Sequence, residues 1–127
     1  MAFMALARAT GRETDVQRAR AALRRRIPLH EIDDLGVCHG LAGYGEILLE
    51  LHAQTNSPDD FGRARQVFSQ LNRIARHDPE RGITWVSADR RESLPTAALM
   101  VGNGGIAHFV LRVIRKNPLT MGFPLLS

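Results

Sequence analysis

Gly40-Leu41-Ala42-Gly43-Tyr44-Gly45-Glu46-Ile47-Leu48-Leu49 and Gly102-Asn103-Gly104-Gly105-Ile106-Ala107-His108-Phe109-Val110-Leu111 decide the fold. The two stretches align without gaps at an offset of 62 residues. Each opens with a Gly-x-x-Gly turn and continues as an apolar helix. One complete amphipathic helix lies between them. A repeat of this length with this punctuation indicates stacked helical hairpins. It predicts that the two glycine-led helices are roughly parallel neighbours, with the 58–76 helix outside them. The fold class expected is all-α, built from repeated helical hairpins.

Glycine permits positive φ and close approach of one backbone to another or to a ligand. At Gly102 and Gly105 tight helix packing accounts for the pattern. At Gly40 and Gly43 packing competes with a role in shaping a site, because Cys38 and His39 stand immediately before them. Cys38 is the only cysteine, so no internal disulfide forms. A lone cysteine beside a histidine reads as a packed thiol, a nucleophile or a metal ligand. Consecutive side chains diverge by about 100° on a regular helix. Such a pair meets one ion only where a loop enters a helix, which is where the glycines place it. Sulfur and imidazole together suit zinc, and a helix N-terminus favours a thiolate.

Outward from the repeat, the remaining chain is also helical. Residues 2–9 are apolar and alanine-rich. Thr14 and Gln17 form a possible capping box ahead of Val16, Ala19, Leu23 and Ile27 on one face, and Pro28 ends that helix. Residues 29–37 read as an acidic loop, and a helix runs from about His39 to Gln54. In Ser57-Pro58-Asp59-Asp60 a serine cap, a first-turn proline and two acids start the next helix. That helix carries Phe61, Ala64, Phe68, Leu71 and Ala75 and is expected to stop at Pro79 and Gly82. Residues 83–86 read as a short extended segment and 88–93 as polar loop. The last helix spans about Gly104 to Arg115, before an apolar tail over 121–127 expected to dock on the body.

The segment Cys38-His39-Gly40-Leu41-Ala42-Gly43 resembles the zinc-binding motif of the lanthionine synthetase C-like family. It also resembles the cyclase domain at the C-terminus of bifunctional class II enzymes. The segment from Gly102 to Arg112 is similar to that family's last inner helix. The resemblance implies a toroid of paired helices around a cavity, of which this chain is expected to form a part, a partial α/α toroid. It implies zinc held there by two cysteines and one histidine, with one position open to the thiol of a precursor peptide. Zinc lowers that thiol's pKa, and the thiolate adds to dehydroalanine or dehydrobutyrine to close a thioether ring in lanthipeptide biosynthesis. Carried over, Cys38 matches the second cysteine ligand and His39 the histidine. The first cysteine ligand and the upstream acid–base residues have no counterpart, so the catalytic residues stay unassigned. Residues 1–127 are therefore expected to be the C-terminal part of a cyclase domain, partnered by the N-terminal remainder or another chain.

Other polar residues have plainer readings. Glu46 and His52 read as solvated or packing residues, and His108 as packed or hydrogen-bonded. Tyr44 and Trp85 read as core or rim. Asp33 and Asp34 read as solvated loop acids, with a place beside His39 as the alternative.

The bulk composition sets outer limits. The 127 residues are 44% hydrophobic and 24% charged, which suits a globular unit or a piece of one. No apolar run is long enough to span a membrane, and the opening residues do not make a signal peptide, so a cytoplasmic protein is expected. Seventeen basic residues, all but Lys116 arginine, give a net charge of +4. They are spread along the chain, with Arg18 and Arg25 on a solvated helix face, and this argues against a nucleic-acid binder. The alternatives to a cyclase part are a non-catalytic helical module that binds peptides or a partner, and an inactive fragment.

Overall fold

The computed structural model describes residues 2–23, 28–80, 82–86 and 97–115. Helices dominate them. In chain order the elements are α1 (Ala2–Thr10), α2 (Glu13–Ala22), a 3-10 turn (Leu29–Glu31), α3 (Leu41–Thr55), α4 (Pro58–Ile74), strands β1 (Arg76–Asp78) and β2 (Gly82–Thr84), and α5 (Asn103–Ile114). The class is all-α, with one small antiparallel hairpin in which His77 faces Ile83. None of these helices is long and apolar enough to cross a membrane.

Local chemistry explains most boundaries. Gly11, at φ +65°, closes α1 in a left-handed conformation, and its N–H reaches Ala7 O at 2.8 Å. Ser57 caps α4, its hydroxyl accepting from Asp60 N, with Pro58 in the first turn. Two expectations shift. The residue before α2 is Arg12, without a side-chain cap. Thr14 therefore lies inside the helix, where Gln17 binds Glu13 rather than closing a capping box. The helix α4 ends at Ile74, ahead of Pro79, because residues 76–78 pair with 82–84 as strands. Ile27, residues 88–93 and the 121–127 tail lie outside the described residues.

α3 is the most enclosed helix. Nine of its 15 residues are buried, including Leu41, Leu48, Leu49 and Leu51. α4 lies along it and buries a single stripe, Asp60, Ala64, Val67 and Leu71. Phe61 and Phe68 are only half-buried at the edge of that stripe. Phe109 of α5 packs its ring against Gly45, where a Cβ would sit 2.4 Å from the ring. Leu41, Leu48, Leu49, Ala64, Val67, Leu71, Trp85, Ile106 and Phe109 form one core. A smaller cluster, Ala7, Val16, Ala19 and Leu51, seats α1 and α2 on the far part of α3.

α3 and α5 are neighbours and run in the same direction. Glu46 meets His108 and, one turn on, Glu50 meets Arg112, so partners ascend both helices together. Trp85 braces the hairpin to α4 and α5. Its indole N–H donates to Leu71 O at 2.9 Å. Its backbone N–H donates to Asn103 Oδ1 at 2.6 Å, and Asn103 Nδ2 donates to its carbonyl at 3.0 Å.

Candidate metal centre

The turn that carries Cys38 and His39 is built from backbone. A helix begins with N–H groups that have no partner inside it. Gly40, at the N-cap of α3, has no side chain to offer. The preceding loop supplies acceptors instead. Leu41 N donates to Asp34 O at 3.0 Å, Ala42 N to Leu35 O at 3.2 Å, and Gly43 N to Gly36 O at 3.2 Å. This lacing draws the loop onto the helix, and it leaves no room for β-carbons. A Cβ at Gly40 would lie 2.5 Å from Asp34 O, and one at Gly43 2.0 Å from Val37 O. The three N–H groups therefore serve the loop and are not aimed at the Cys38 thiol.

The second copy of the repeat completes the turn. Met100 O accepts both Val37 N and Cys38 N, each at 2.9 Å. Gly102, at the N-cap of α5, has the extended conformation of Gly40, with φ −132° against −114°. A Cβ at Gly105 would lie 1.9 Å from Leu99 O, the counterpart of the contact at Gly43. The two glycine turns share one construction, and the backbone of the second holds the residues of the first.

Cys38 and His39 stand at the rim of this turn. Cys38 is exposed and a free thiol. The His39 side chain is 67% exposed, and its Nε2 lies 3.1 Å from Asp34 Oδ2. Asp34 Oδ1 accepts from Gly36 N at 2.6 Å. Asp34 is thus a partner of His39 rather than a solvated acid. Its position five residues earlier in the chain hides this, because the loop must double back to bring the two together. An exposed pair of this kind adds about 0–1 kcal/mol to stability, so its consequence is orientation.

The donors present fit two positions of a zinc site. A thiol and an imidazole are the right ligand types, and the Asp34 carboxylate stands beside the imidazole. Among the described residues, no group of three or more His, Cys, Asp or Glu side chains is arranged to hold an ion. A third protein ligand is therefore not supplied by them.

The other singled-out residues lie elsewhere. Glu46, expected to be solvated or packed, is fully buried and takes up polar partners. His108 Nδ1 is 2.8 Å from its Oε1, and Arg112 binds its Oε2. Arg112 also donates to Glu50 Oε1 at 2.8 Å, while Arg8 of α1 faces Glu50 Oε2 at 2.7 Å. Three helices are joined by this chain of charges. His52 Nδ1 lies 2.8 Å from Ser57 O, and Tyr44 is bonded to Arg63. Arg18, on the solvated face as expected, pairs with Asp15.

The model of the lanthionine synthetase C-like protein family matches residues 1–126. No curated protein and no solved structure matches the chain. The family is a helical toroid, generally binds zinc and acts on peptides. A match over nearly the whole length, on an all-α chain with paired glycine turns and a Cys-His step at the first of them, places this protein in the lanthionine synthetase C-like family.

Proposed function

We propose that this chain forms the closing hairpins of a lanthionine cyclase domain and contributes Cys38 and His39 to its zinc site. One observation carries the reading. The Cys-His step sits on a rigid turn at the start of α3, with both side chains exposed and the imidazole already engaged by Asp34. Zinc held there would supply the positive charge that keeps a peptide cysteine as its thiolate at neutral pH. The chain's own part is to present sulfur and nitrogen at fixed places, on a turn stitched to Met100 and laced to residues 34–36. The thiolate of a precursor peptide then adds to a dehydroalanine or dehydrobutyrine of the same peptide and closes a thioether ring. The third protein ligand and the acid–base groups come from outside residues 1–127, from the N-terminal part of a cyclase or from another chain.

The test uses purified chain, zinc and a dehydrated precursor peptide, with free thiols counted by alkylation and mass spectrometry. Little ring formation is expected from the chain alone. Acid–base groups contribute about 10²–10⁴-fold, and a peptide held in attack geometry contributes more. Activity is expected when the N-terminal part of a cyclase is added in trans, and Cys38→Ala is expected to abolish it. Activity in trans that survives both Cys38→Ala and His39→Ala overturns the assignment.

A further inference from the structure

α3 is flanked on two opposite sides, and the repeat shows which side of α5 lacks the matching neighbour. Gly45 and Ile47 stand two residues apart, which is about 200° around a helix, so they point to opposite sides. Ile47 packs into the cluster of Ala7, Val16 and Ala19, back toward α1 and α2. Gly45 faces forward and receives the ring of Phe109 from α5. At the repeat offset of 62, Ile47 corresponds to Phe109 and Gly45 to Ala107. Phe109 does what its counterpart does and faces back, onto α3. Ala107 stands on the forward side of α5.

That forward side is apolar and open among the described residues. Leu111 and Ile114 follow Ala107 at four and seven residues, on one helical face. They are 49% and 62% exposed, whereas Leu49, at the register of Leu111, is 0% exposed. Ala107 is small like Gly45, so a bulky side chain can lie over it.

We propose that Ala107, Leu111 and Ile114 are the seat of a helix from the N-terminal part of the cyclase, one that lays a bulky apolar side chain over Ala107 as Phe109 lies on Gly45. The proposal rests on the reading of this chain as the closing hairpins of a cyclase domain. The family is a helical toroid. In a ring, the forward side of the last helix meets the first helix, and the first lies in the N-terminal part. Removal of this apolar face from water supplies the affinity.

The test uses the full chain and, as the probe, the N-terminal part of a lanthionine synthetase C-like cyclase that stops where α1 begins. Binding is read by isothermal titration calorimetry, and the folding of each variant by circular dichroism. Leu111→Lys and Ile114→Lys place a charge on the seat at positions exposed in the chain alone, so the helix is kept. Ile83→Lys places the same charge at a 52% exposed position on β2, as a control away from the seat. Both seat variants are expected to weaken binding by about 10-fold or more, while Ile83→Lys binds as the wild type does. Weakening by neither seat variant, or equally by all three, overturns the seat. If activity in trans is still lost in Cys38→Ala, the cyclase reading stands without it. A wild-type chain that neither binds the probe nor gains activity from it overturns both. Self-association of the chain in sedimentation, abolished by Leu111→Lys while the probe stays unbound, assigns the face to a second copy and overturns the proposal.

Discussion

Glu46 and His108 are joined at 2.8 Å across a sequence separation of 62 residues, and 62 is the offset of the glycine repeat. Glu50 and Arg112 are joined at 2.8 Å across the same separation. Equivalent positions of the two copies therefore face each other, one turn apart along parallel helices. The copies have become complementary. The first carries two acids on this face, and the second carries a histidine and an arginine.

Arg112 holds this face together, so its loss should be severe. It is 1% exposed and bonded to both Glu46 and Glu50. Arg112→Met leaves two buried carboxylates short of their shared cation, an expected loss of about 3–5 kcal/mol. In a Glu46→Gln, Glu50→Gln background the guanidinium is a buried charge without these acidic partners, so the same change should cost far less or even stabilise. Urea unfolding of the four proteins measures both steps. Equal costs in the two backgrounds would show that charge pairing is not what Arg112 supplies.

The glycines divide into those the fold requires and those it does not. Gly43→Ala and Gly105→Ala drive a Cβ into backbone carbonyls at 2.0 and 1.9 Å. Each is expected to destabilise by about 1–3 kcal/mol or more. Gly62 lies mid-helix in α4, exposed, and a methyl group there would meet no neighbouring atom within 4 Å. Gly62→Ala should stabilise by roughly 0.5–1 kcal/mol. Thermal unfolding reads the opposite signs.

Asn103 satisfies both backbone groups of Trp85. Asn103→Ala removes both partners while leaving the α5 backbone able to form. The expected cost is about 1–3 kcal/mol. Hydrogen exchange offers a local check, since the Trp85 amide should lose protection while the amides of α3 keep theirs. Unchanged exchange at Trp85 would contradict the brace.

Zinc should be held weakly by the isolated chain, because two protein ligands fall short of the three or four of established sites. Dialysis against a chelator should strip it completely, as read by elemental analysis. One zinc per chain surviving that treatment would mean that another copy supplies ligands, which a mass measurement under native conditions would reveal.

The helices are legible because their signals are short-range. Apolar spacing places α3, α4 and α5, and the Ser57 cap and Pro58 fix the start of α4. The repeat foretells that α3 and α5 are parallel neighbours. The end of α4 is not legible, because strand pairing between 76–78 and 82–84 competes with helix and no local residue announces that pairing. The Cys-His step is visible as a candidate on residue type and glycine spacing alone.

The sequence by itself determined an all-α chain, a 62-residue repeat and a Cys38–His39 turn at the head of one copy. Only the tertiary structure decided which polar groups are buried and with whom. Glu46 reads in the sequence as a solvated or packing residue, and Glu50 four residues on carries no signal of its own. They are buried because α5 lies against them with His108 and Arg112 at matching height, and because Arg8 arrives from α1. Asp34 likewise meets His39 only after the loop is laced to α3. Periodicity and capping act within a few residues and can be read along the chain. The cost of burying a charge is offset by whichever partner packing brings near, and that depends on every helix at once.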